Sequence, residues 1–104
     1  MNRRPTQSYT EIRRYTEKWR WIDPRSGQRV TGYVHPQTAR EVERAPFYIK
    51  FLTKSGHVDE GECICLAVNT ERHQRKVQFT ASKQIRVVND ILVMEIDGTR
   101  FLTH

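Results

Sequence analysis

A chain of 104 residues with 37% hydrophobic and 29% charged residues has room for one small domain, and its apolar and aromatic content is too high for full disorder. The net charge of +6 is carried by the N-terminal third: residues 1–35 hold eight Lys/Arg against three acids, whereas residues 47–104 hold eight against seven. The longest apolar run, 63–68, is far too short to span a bilayer, and no apolar secretory segment opens the chain, so a cytoplasmic protein without membrane contact is expected.

The opening MNRRPTQ has no core-forming pattern and is expected to be mobile. Residues 8–22 carry two conflicting signals. Ser8 and Glu11 make a capping box, with Ile12, Tyr15, Trp19 and Ile22 on one helical face, yet Tyr, Thr, Ile and Trp favour strands. The reading preferred is a helical or irregular lead-in over 8–16, then a hairpin of 17–22 with 28–34. Asp23-Pro24 opens its turn and Gly27 supplies a positive φ. In that hairpin Trp19 and Trp21 share one face, and Lys18 and Arg20 the other. Two indoles beside basic residues suit stacking on bases with phosphates held by cations. Packing of the indoles on the barrel or on a partner is the competing and preferred explanation.

The segment 36–45 predicts a short helix, with Pro36 in its first turn, a small apolar face of Ala39, Val42 and Ala45, and Pro46 as its stop. From Phe47 the hydrophobic period becomes two. Strands are expected at 47–52, 60–68, 76–80, 85–88 and 91–96, with Asp97-Gly98 turning into a closing 99–103. The strand at 60–68 is apolar on both faces, as in a buried strand of a closed barrel. The expected core is Phe47, Ile49, Phe51, Ile64, Leu66, Val77, Phe79, Ile85, Leu92, Met94 and Ile96. The organisation expected is a basic arm and aromatic hairpin over 1–35, a helix over 36–45 and a small β-barrel over 46–104.

Gly56-HVDE-Gly61, with a hydrophobic residue two further on at Cys63, and Ile85-Arg86 ahead of the strand 91–96, give residues 47–96 the motif grammar of a known family. This half of the chain resembles the Sm-like (LSm/Hfq type) barrels, and more broadly SH3-like barrels. Ala67 stands where that family carries an aspartate, and Val87 where it carries a glycine. The resemblance implies a mainly β, five-stranded barrel preceded by a short helix. It also implies RNA binding, with Arg86 as a candidate contact; such barrels serve equally as protein-binding modules.

Cys63 and Cys65 alternate along a strand, a spacing poor for a disulfide and for sharing one metal ion with His57 and His73. They read as buried, reduced thiols, and no metal is expected. Ser55, His57, Asp59, Glu60 and Glu62 are polar residues of one hairpin, and no nucleophile elbow, Walker loop, zincin helix or dinucleotide fingerprint occurs. The expected function is therefore non-enzymatic and cofactor-free: binding of RNA or single-stranded DNA by Arg13, Arg14, Lys18, Trp19, Arg20, Trp21, Arg25, Arg29 and Arg86. The rival is a protein–protein module or a homo-oligomeric subunit using the aromatic hairpin or open strand edges.

Overall fold

A computed structural model describes residues 5–101. Most of the segment 1–7 and the end of the closing strand at 102–103 lie outside the described residues. Among the described residues the architecture is mainly β: one α-helix, α1 (Pro5–Thr16), and two antiparallel sheets. The first sheet has the order β2-β1-β3, from β1 (Trp19–Ile22), β2 (Arg29–Gly32) and β3 (Arg40–Arg44). The second has the order β7-β6-β5-β4-β8-β9. Its strands are β4 (Phe47–Leu52), β5 (Val58–Asn69), β6 (Gln74–Phe79), β7 (Ile85–Asn89), β8 (Val93–Ile96) and β9 (Thr99–Arg100), with a 3-10 turn at Asp90–Leu92 between β7 and β8.

Residues 8–16 are helical as expected, but the helix starts earlier, with Pro5 in its first turn rather than Ser8 as its cap. It ends at Thr16, before the strand-forming WRWI. Ile12 is fully buried in the core of the second sheet. Tyr15 packs edge-on against Phe101, with ring centroids 6.0 Å apart, and its hydroxyl lies 3.1 Å from Thr99 Oγ1. The β1–β2 hairpin forms in the expected place. Asp23 Oδ1 accepts from the Arg25 amide (3.0 Å), and Gly27 adopts φ 72° while donating to the Asp23 carbonyl.

The helix expected over 36–45 is instead strand β3. Only one helical-type turn survives there, Ala39 N–H to Pro36 O. Three turns with Ala39, Val42 and Ala45 as their whole apolar face bury too little to persist. As a strand, the same residues gain a ladder to β1 (Arg20 opposite Glu43, Trp19 opposite Arg44) and cross-strand ion pairs. Glu41, at φ 52°, lies where the register slips between Arg20 and Ile22, so a bulge fits the alternation to the partner strand.

In the second sheet, β5 is a single long strand that pairs β4 through its first half and β6 through its second. Its inward residues are Cys63 and Cys65, which lie opposite Phe79 and Val77. The core consists of Ile12, Phe47, Ile49, Phe51, Cys63, Cys65, Val77, Phe79, Val88, Val93 and Ile96. Gly61 is required by that packing: a Cβ there would sit 3.0 Å from the Phe79 ring. Ile64, Leu92 and Met94 are only partly buried, while Leu66 and Ile85 are 41% and 50% exposed, so these five expected core positions are corrected. The face of 60–68 was ambiguous because both alternating sets are apolar. Pairing with Phe79 and Val77 selects the cysteines, and the outer face stays open because the sheet does not close: β7 and β9 are its unpaired margins among the described residues.

A buried ion network fastens α1 to this sheet. Arg75, in the polar run 69–75 between two expected strands, is 1% exposed in its side chain. It donates to both oxygens of Asp90 (2.8 and 2.9 Å), to Glu17 Oε2 (2.9 Å) and to the Thr16 hydroxyl. Thr16 in turn donates to the Ile12 carbonyl (2.8 Å). Burial on its own would lower the guanidinium pKa; the Asp90 and Glu17 carboxylates outweigh it and hold the pKa above its ordinary value.

Candidate nucleic-acid interface

The last turn of α1, the start of β1, the segment after β2 and the end of β3 converge on one cleft of about 390 Å³. Its cations are Arg13, Arg14 and Arg44, its aromatics Trp19 and Tyr33, and its one acid Glu17. Helical spacing puts Arg13 and Glu17 a turn apart, and they pair at 3.6 Å. The Tyr33 hydroxyl donates to the Arg14 carbonyl at 2.7 Å, which ties the segment after β2 to the helix end.

Trp19 is half-buried and preset. The Arg44 guanidinium lies 3.8 Å from its ring centroid, and His35 meets it edge-on at 5.6 Å. This stack follows from the register, since antiparallel partners Trp19 and Arg44 point to one face of the sheet. Three cations around an indole, with one acid to offset them, make the cleft a locally positive, flat-walled surface.

The two tryptophans have different environments. Trp21 is 6% exposed; its indole lies so close over Gly32 that a Cβ there would meet it at 3.1 Å. It packs against Gly32 of its own hairpin rather than in the core of the second sheet, and is not available for stacking. Arg20 and Arg29 lie on the other face of the sheet, where both bind Glu43 (2.5 and 3.5 Å). Arg25 is exposed in the β1–β2 turn, away from the cleft lining. Lys18 is half-buried, its ammonium 5.9 Å from the Tyr15 ring centroid. Arg86, on the second sheet, pairs with Asp59 at 3.4 Å and donates to Gln84 Oε1. Of the nine expected contacts, the cleft thus collects Arg13, Arg14 and Trp19. It adds Arg44 and Tyr33, which the sequence reading missed. Reading 40–44 as a strand would have placed Arg44 beside Trp19.

Both thiols are buried and free. Burial pushes the Cys63 thiol up to about 12, and Cys65 is likewise raised by burial, with Arg75 opposing in part. They are protonated and unreactive at neutral pH. Among the described residues no three His, Cys, Asp or Glu side chains gather as a metal site, and no helix is long and apolar enough to cross a membrane. No family model, curated protein or solved structure matches the chain.

Proposed function

We propose that the protein is a non-enzymatic nucleic-acid-binding domain that takes single strands, RNA or single-stranded DNA, in the cleft between α1 and the first sheet. The observation that carries this reading is the Trp19–Arg44 stack flanked by Arg13 and Arg14. Flat guanidinium and indole planes accept bases whatever their identity, and the neighbouring arginines hold phosphates. The Sm-like or SH3-like resemblance enters here as support. Strands β4–β8 lie together in the sheet in the order β7-β6-β5-β4-β8, with β5 long and shared between two partners, and Gly56 and Gly61 occupy a turn and a close approach. Beyond those five strands the protein carries the three-stranded sheet and β9, and the second sheet is not closed into a barrel.

The test is fluorescence anisotropy of labelled mixed-sequence RNA and single-stranded DNA across a salt series. Log affinity is expected to fall steeply with log salt, and Arg13→Gln or Arg14→Gln to flatten the slope by about one unit per lost phosphate contact. Absence of binding at about 50 mM salt, where phosphate contacts are strong, overturns the reading. A second reading, a protein-binding or homo-oligomeric unit, is favoured by the open margin β7 and the exposed Leu66, Ile85 and Val87 on the outer face beside it. Concentration-dependent association in sedimentation, lost in Ile85→Lys/Val87→Lys, is its signature.

A further inference from the structure

The cleft at Trp19 does not stand alone. Thr10 and Arg13 of α1, which line it, also line a second, adjoining cleft of about 280 Å³. That second cleft is bounded by Val68, Thr70 and His73 of the β5–β6 hairpin. Val68 and Arg75 then pass into a third cleft of about 200 Å³, walled by Asn69, Lys76 and Val87. The three depressions therefore share walls in sequence. Together they pass from Trp19 beside the helix, over Arg13, to the outer face of the second sheet.

The chemistry along this line is of one kind. Arg13 is about two-thirds exposed at the crossing point, and Lys76 is exposed at the far end. Two acids lie along it: Asp90, buried and neutralised by Arg75, and Glu17, 19% exposed in its side chain and shared between Arg75 and Arg13. Between the cations lie neutral polar groups, Thr70 and Asn69, and apolar walls, Val68 and the 58% exposed Val87. Cations at intervals with apolar and neutral polar surface between them match a polymer with charged links and flat uncharged faces.

We propose that a single nucleic-acid strand follows all three clefts, entering at Trp19 and Arg44, crossing α1 at Arg13 and ending at Lys76 and Val87. This inference rests on the nucleic-acid reading above and specifies its ligand: an extended single strand of several nucleotides rather than a mononucleotide. Site sizes of roughly 4–16 nucleotides are usual for single-strand grooves on small β-domains.

The experiment is a length series of labelled oligothymidylates and oligouridylates, from a dinucleotide to a dodecanucleotide, read by anisotropy at about 50 mM salt. Wild-type affinity is expected to climb beyond the trinucleotide before levelling. Lys76→Gln should lower the salt slope by about one unit for the dodecanucleotide and leave the trinucleotide unchanged. Arg14→Gln should weaken every length. Lys50→Gln, on β4 and outside all three clefts, should weaken none. A plateau at the trinucleotide with Lys76→Gln neutral throughout overturns the extended path while leaving the first cleft as the site. Equal losses from Lys50→Gln and Lys76→Gln overturn it too, because the attraction is then diffuse charge. If no oligomer of any length binds, the nucleic-acid reading falls and the path falls with it.

Discussion

Replacing Arg75 with Met removes a guanidinium that is 1% exposed and makes four hydrogen bonds: two to Asp90, one to Glu17 and one to Thr16. Met fills much of the same volume, so the loss is chiefly electrostatic. Asp90 is left as a buried carboxylate without its cation, whereas Glu17, 19% exposed in its side chain, turns to water and Thr16 keeps its bond to the Ile12 carbonyl. Removing one partner of a buried ion pair costs about 3–5 kcal/mol. Domains of this size have net stabilities of roughly 5–15 kcal/mol, so the variant loses a large share of what holds it folded. At roughly 4–8 °C per kcal/mol, its melting temperature drops by about 12 °C or more. Urea unfolding followed by far-ultraviolet circular dichroism measures this directly. The companion Arg75→Met/Asp90→Leu removes both charges and should recover to within about 1 kcal/mol of wild type, since an apolar replacement of the whole pair is often neutral. A loss below about 1 kcal/mol in Arg75→Met, or a double variant as unstable as the single, refutes the burial and the pairing together.

Phe79→Ala should cost about 3–5 kcal/mol, and Gly61→Ala about 1–3 kcal/mol by pressing a methyl onto the Phe79 ring. In the double variant that clash is gone, so the two losses must fall short of additive in denaturant melts; simple additivity places the ring elsewhere. Trp21→Ala should destabilise by about 3–5 kcal/mol, whereas Trp19→Ala should leave the protein folded and weaken single-strand binding by about 1–3 kcal/mol. Equal stability losses from the two contradict their different burial. Both native thiols should resist a bulky maleimide until the protein unfolds. Because the folded Cys63 thiol ionises only near about 12, the unfolded chain loses its proton first. Stability from this group is therefore complete below the free thiol's value of about 8.5 and is lost as pH rises toward the folded value. Cys63→Ala should make that alkaline decline shallower, and an unchanged decline removes the assignment.

Period-two alternation identified strands β4 and β6 and their inward Phe47, Ile49, Phe51, Val77 and Phe79, because polar residues mark the other face. It failed at 60–68, where Ile64 and Leu66 are as apolar as Cys63 and Cys65. There the cross-strand partners Phe79 and Val77 decide the face. The segment 36–45 was misread because its helical signals are local, while β3 is stabilised by β1, whose paired residues lie 18 to 25 positions earlier in the chain. The same long-range pairing hid Arg44 from the site, since only the strand register brings it over Trp19. Arg75 was illegible for a different reason. Nothing in a run of polar residues says which one finds Asp90, Glu17 and Thr16 around it. The basic character of the N-terminal third was legible in composition, and strand alternation already set Arg20 apart from the indoles; what it did not show is that Glu43 pairs with both Arg20 and Arg29 on that opposite face.

Glu17 serves two ends that pull against each other. Its one oxygen holds buried Arg75 and so anchors the helix; its other lies beside Arg13 in the positive cleft, where a carboxylate repels the phosphates that the cleft would gather. Any change that removes this charge to tighten capture also loosens the element that carries Arg13 and Arg14. The residue that limits the positive charge of the cleft is thus one that the fold itself requires.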